Sequence, residues 1–149
     1  VPASCFIFPT AEIIGSVELG EDVIVYPGTV VRAGYGKITI GDKTNLQENV
    51  TFHVETGYDI HVGAGVTIGH NAIIHGCTVG SHTLIGMGSI LLDGCHIGTG
   101  SIVAAGRSHR GELLHRRRRN RQTRYAHPQG AHGVWHSLSH RPPHHAGGI

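Results

Sequence analysis

An aliphatic residue recurs at about every sixth position through most of this chain. Ile13, Leu19, Val25 and Val31 form one run, Ile40, Leu46 and Phe52 a second, and Val62, Ile68 and Ile74 a third. Val79, Ile85 and Leu91 make a fourth, and Ile97 and Val103 begin a fifth. Glycine often follows the aliphatic, and a small or β-branched residue often stands four places after it. An amphipathic helix needs apolar residues at i, i+3, i+4 and i+7, which a step of six does not supply, and glycine-rich sequence makes poor helix. A β-sandwich favours short alternating runs with turns every 8 to 12 residues or so, which a strict step of six also fails to match. The pattern predicts short strands joined by tight turns. Three units make one triangular coil of a parallel β-helix, and stacking the coils gathers the aliphatics into a narrow core. Of the 23 glycines, 18 precede residue 107, where they suit the turns.

Aligning successive coils places Ile40, Leu46 and Phe52 beneath Val62, Ile68 and Ile74. Side chains alternate along a strand, so His53 and His75, each directly after its inward residue, project outward at one register of one face. Stacked strands lie about 4.7 to 4.9 Å apart, close enough for two imidazoles to converge on one ion with Zn–N distances of about 2.0 to 2.1 Å. Arg32 follows Val31 and extends the same column, where a cation needs a carboxylate partner; Glu48, or an acid across an interface, is the candidate. His70 precedes His75 by five residues and falls at a turn after the preceding face. Pointing away from the pair on its own chain, it fits the pair of a neighbour around a three-fold axis, which gives three histidines per site and three sites per trimer.

With 149 residues the chain reads as one main domain, and it has no apolar run of about 18 residues to cross a membrane. The opening VPASCFIFPT lacks the charged and apolar regions of a signal peptide. Three scattered cysteines, Cys5, Cys77 and Cys95, make no disulfide framework, so a reducing, cytoplasmic setting is expected. Cys77 and Cys95 read as small buried or turn residues, and His61, His82 and His96 as turn or surface residues.

The stretch VRAGYGKITIGDKTNLQENVTFHV, followed by VTIGHNAIIHGCTVG and LIGMGSILLDGC, resembles the gamma-class carbonic anhydrases from roughly Phe6 to Gly106. The resemblance implies an all-β, left-handed parallel β-helix of hexapeptide repeats, assembled as a homotrimer with Zn²⁺, or Fe²⁺ or Co²⁺, at each subunit interface. It makes His53 and His75 the metal ligands from one chain and His70 the ligand from the next. Arg32 then matches the family's interface arginine, Asn45 and Gln47 its Asn-x-Gln, and Glu48 stands where an aspartate is usual. The implied reaction is reversible hydration of CO₂ to bicarbonate and a proton. A three-histidine site leaves a coordination position open, where bound water can have its pKa lowered to about 7, and Gln47 would orient the hydroxide or the CO₂.

Two departures stand beside the resemblance. The family's Arg-x-Asp is Arg32-Ala33-Gly34 here, and the segment VETGYDIHVGAGVTIG replaces an acidic loop that carries a proton-shuttling glutamate. Glu55 and His61 are the available substitutes, although a solvated surface role suits both. A structural homotrimer that keeps the metal with little turnover, and a hexapeptide-repeat acyltransferase using a histidine base and a CoA cleft between coils, are the alternative readings.

Charge divides the chain near Gly106. Residues 1–106 hold nine acids against Arg32, Lys37 and Lys43, whereas residues 107–149 hold nine arginines, one acid and eight of the 14 histidines. This basic tail follows neither a hexad nor an amphipathic helix, so a normal C-terminal capping helix is not expected. Read literally it is a disordered arm, and HRRRRNRQTR would meet nucleic acid through phosphates only if that arm is genuine. A shifted reading frame is the favoured alternative, since moving Tyr125 to Ser137 by one base permits another hexad coil.

Overall fold

The computed structural model describes residues 1–111 and the strand Leu113–Leu114. The expectations for the rest of the tail lie outside the described residues. Short strands wind through six coils with three faces, and each pairing between coils is parallel. The first face carries Phe6–Ile7, Ile24–Val25, Asn45–Leu46, Thr67–Ile68, Leu84–Ile85 and Ile102–Val103. The second takes the leading halves of Glu12–Leu19 and Val30–Ile40, then Thr51–His53, Ile73–His75, Ile90–Leu91 and Ser108–His109. The third takes the trailing halves of those two long strands, then Ile60–Val62, Thr78–Val79, His96–Ile97 and Leu113–Leu114.

The hexad residues are the core. Ile40 pairs with Val62, Leu46 with Ile68 and Phe52 with Ile74, in the register the repeat predicts. On the second face Val31, Phe52, Ile74 and Leu91 stack one above another and are fully buried. Because the side-chain period is two, burying this column fixes the outward direction of each following residue; a slip of one would send the imidazoles inward. Cys77 and Cys95 fill the small inward slots before Val79 and Ile97, buried as the sequence indicated.

Buried hydroxyls tie the coils at the corners. Thr29 donates to Gln47 O at 2.8 Å, Thr83 to Gly98 O at 3.2 Å and Ser89 to Ala104 O at 3.1 Å, each one coil further on. Ser101 Oγ, in the corresponding place of the last complete coil, has no partner among the described residues. Strands continue past Gly106, but His109 stands over Leu91, where the hexad asks for an aliphatic.

One of the three corners departs from the regular step of six. Between the first and second faces each turn keeps the hexad, and from the second coil on each contains one left-handed residue, Asn49 (φ 61°) and Asn71 (φ 58°) among them. Between the second and third faces the step varies: nine residues from Val31 to Ile40, ten from Phe52 to Val62, five from Ile74 to Val79. The two longer steps release the excursions 34–37 and 55–59, which lie against each other, with Lys37 N donating to Asp59 Oδ1 at 2.8 Å. They emerge at the end of the second face, beside the outward column.

Candidate metal centre

Arg32, His53 and His75 occupy one outward column, paired in register through three coils. His53 Nδ1 lies 2.9 Å from His75 Nε2, with ring centroids 5.0 Å apart and planes at 50°. Two imidazoles bound to one tetrahedral ion would hold their nitrogens about 3.3 Å apart. The pair therefore fits a metal with an adjustment of a few tenths of an ångström. Both rings are mostly covered, at 18% and 21% side-chain exposure, which limits competition from water.

The other nitrogen of His75 is also engaged. Its Nδ1 lies 2.6 Å from Asp93 Oδ1, so the N–H donates to the carboxylate and the lone pair on Nε2 faces His53. A carboxylate behind a histidine is how metal ligands are held in one tautomer and orientation. Sequence reasoning missed Asp93, yet the signal was present: Leu91 stacks on Ile74, so counting two residues on brings Asp93 to the corner above His75. Gly76 makes room for it. A Cβ there would come within 2.2 Å of Asp93 Oδ1 and 2.8 Å of Tyr58 Cβ, at a φ of 49°.

His70 sits on the turn between the first and second faces, with Gln47 and Glu48 one coil below it. Glu48 Oε2 lies 2.7 Å from His70 Nδ1, and Gln47 Oε1 accepts from His70 N at 3.2 Å. Asn45, on the adjoining strand, donates through Nδ2 to Thr67 Oγ1 at 2.9 Å. Glu48 is therefore not the intrachain partner expected for Arg32. It lies on the corner before the second face, whereas Arg32 stands at the end of that face. Arg32 is exposed and has no carboxylate partner among the described residues.

The proposed residues thus fall into two groups: Asn45, Gln47, Glu48 and His70 at one corner, and Arg32, His53 and His75 at the next. Glu55 joins the second group, its Oε1 3.8 Å from His53 Nδ1. His61, His82 and His96 are exposed, as expected, and His82 occupies a left-handed turn position (φ 56°). Burial, the neighbouring Cys95 and Asp93 push the Cys77 thiol up to about 12. The thiolate is the form that binds metal, so Cys77 stays an inert core residue near neutral pH.

Residues 76–106 match the bacterial transferase hexapeptide family (six repeats), on coils whose geometry is that of the repeat. The chain belongs to the hexapeptide-repeat family. Its fold is that family's left-handed parallel β-helix. Among hexapeptide-repeat relatives, gamma carbonic anhydrase 1, mitochondrial, from Arabidopsis thaliana is 39% identical over 112 residues, covering 71% of this chain and 41% of the relative. Carnitine operon protein CaiE from Escherichia coli K12 is 39% identical over 105 residues, covering 70% of this chain and 54% of the relative. A crystal structure of a hexapeptide transferase family protein from Anaplasma phagocytophilum superposes with a TM-score of 0.72 at 40% identity, covering 75% of this chain and 66% of that one. The chain spans about half the length or less of these two curated relatives.

Proposed function

We propose that the chain is a gamma-type carbonic anhydrase, a lyase that hydrates CO₂ reversibly at metal sites shared between the subunits of a homotrimer. The observation that carries this reading is the registered pair His53 and His75, with nitrogens 2.9 Å apart and His75 held from behind by Asp93. These two residues would hold one side of a divalent metal, zinc or iron by the donor chemistry, and His70 of a neighbouring copy would hold the other. When bound, the metal supplies a Lewis acid that lowers the pKa of a coordinated water to about 7. The chain's own residues orient and shield. Asp93 keeps the His75 proton on Nδ1, Glu48 turns the His70 ring, and Gln47 fixes the His70 backbone while its Nε2 can donate to CO₂ or bicarbonate. The exposed carboxylate of Glu55 is placed to take a proton toward solvent.

A neighbour is also favoured by the distribution of apolar surface. Leu84, Met87 and Ile102 are 42%, 59% and 76% exposed on the first face and the corner after it, and Ile73 is 38% exposed on the second. On the third face the strands Ile60–Val62, Thr78–Val79 and His96–Ile97 expose no large apolar side chain. Contiguous exposed aliphatics mark an interaction surface, and this one lies on the His70 side, where a second copy would sit.

A second reading is a homotrimer that keeps the metal with little turnover. It is favoured by Arg32 having no carboxylate partner among the described residues and by Gln47 Oε1 being already committed to His70. Metal analysis of untagged protein, CO₂ hydration and size in solution separate the two readings. Metal and hydration lost together in His75→Ala support the enzyme; metal without hydration in the wild type supports the second reading; a monomer rejects both.

A further inference from the structure

Two histidines are not the full donor set of a single chain. Glu55 follows His53 by two residues, where the chain leaves the second face. One donor atom each from His53, Glu55 and His75 lie within 4.8 Å of one another, and among the described residues no other trio of His, Cys, Asp or Glu does so. His70, on the previous corner, is outside the trio. The excursion that carries Glu55 is anchored: Tyr58 N donates to Glu55 O at 3.2 Å, and Asp59 holds Lys37 N at 2.8 Å. The Glu55 side chain is 56% exposed, so it can move onto or off an ion with little burial cost. Two imidazoles and one carboxylate, with positions left open, are a donor set suited to ferrous and similar divalent ions.

We infer that His53, Glu55 and His75 form a divalent-cation site complete within one chain, in which Glu55 holds the third position until an imidazole from a neighbouring chain replaces it. The inference rests on His53 and His75 being ligands, and adds that a protomer captures its metal before it assembles. It also gives Glu55 a binding role that the three-histidine site does not include. The negative carboxylate balances part of the ion's charge while the site is open to water; the neutral His70 takes over once the interface closes.

The test uses Co²⁺ as the probe and the full untagged chain. A His53→Ala/His75→Ala chain measures the background from the eight histidines of residues 107–149. His70→Ala removes the neighbour's contribution, with His70→Gln in its place should the alanine chain fail to fold. Visible absorption and competition with a chelator are expected to show one Co²⁺ per His70→Ala chain above background. Adding Glu55→Gln should then weaken binding by more than about 100-fold, beyond the 10- to 100-fold that an outer-shell partner typically costs. With His70 present, Glu55→Gln alone should cost less than about tenfold, a non-additivity that marks replacement of one ligand by the other. A His70→Ala chain with no Co²⁺ above background overturns the inference, as does a Glu55→Gln effect of 100-fold or less in that chain. Equal losses in both backgrounds overturn the replacement step. If the wild type binds Co²⁺ and His70→Ala does not, the intersubunit site survives and the one-chain site falls; if the wild type also binds none above background, both fall.

Discussion

Two neighbouring corners of the β-helix carry the two halves of the candidate site, and they are built differently. The corner before the second face keeps the six-residue step and presents Gln47, Glu48 and His70 on short turns. The corner after it varies from five to ten residues, and there the chain displays His53 and His75 and releases the loop that carries Glu55. The strict corner holds His70 at a fixed place relative to the core, as the proposed contact with another subunit would require. The variable corner adds loops beside its ligands without disturbing the stack, because each return strand still lands on the register of the coil below. The two corners are separated by the width of a face, so within one chain His70 stands apart from His53 and His75.

The strongest test of that division mixes chains. His70→Ala keeps the second half-site, His75→Ala keeps the first, and neither alone has a complete three-histidine site. Each homotrimer is expected to lose nearly all CO₂ hydration. Trimers refolded or co-expressed from equal amounts of the two should recover about a quarter of wild-type activity, since a given interface has one chance in four of joining the two intact halves. A mixture as inactive as its parents would mean that the halves do not meet across an interface.

The strict parts of the molecule were the legible ones. Hexad spacing fixes which residues face inward, and from Phe52 over Ile74 it follows that His53 stands beside His75. The same counting separated His70 from them. Contacts made around the variable corner were less legible. Asp93 lies within reach of the count, two residues after Leu91, but its contact with His75 also depends on the corner below it, whereas Glu55 reaches His53 from an excursion whose path the hexad does not constrain. The intrachain pairing of Glu48 with Arg32, one of the two candidates, failed for a related reason: a turn residue can face either adjoining face, and the partner it meets is the imidazole one coil above it. The basic tail beyond residue 114 gives no pattern to count.

Each half-site backs a histidine with a carboxylate, which allows a direct comparison. The Asp93–His75 contact is 2.6 Å with side chains 28% and 21% exposed; the Glu48–His70 contact is 2.7 Å with side chains 42% and 45% exposed. Asp93→Asn keeps the size but can no longer accept through a charged oxygen, and metal affinity is expected to fall by about 10- to 100-fold. Equilibrium dialysis against a chelator measures it. An unchanged affinity would reduce Asp93 to a surface partner.

Gly76→Ala attacks the same half-site through the backbone. Its Cβ would occupy the place of Asp93 Oδ1, and the left-handed φ of 49° is unfavourable for alanine. The fold is expected to lose about 1 to 3 kcal/mol, read as a lower thermal midpoint, and metal affinity should drop with it because the carboxylate is displaced. A stable variant with normal affinity would show that the corner relaxes freely and does not define the site.

Glu48→Gln is the mild counterpart on the other half. An exposed pair between a carboxylate and an imidazole adds little to stability, because water screens both groups and both side chains lose freedom in pairing. The midpoint should shift by less than about 1 kcal/mol equivalent. Any effect should appear in the trimer, where Glu48 orients the ring that crosses to the neighbour, and not in metal capture by a lone protomer. Measuring Co²⁺ affinity in dilute and concentrated protein separates these outcomes. A concentration-independent loss would place Glu48 in the one-chain site and erase the distinction between the corners; a loss confined to the assembled state would sharpen it.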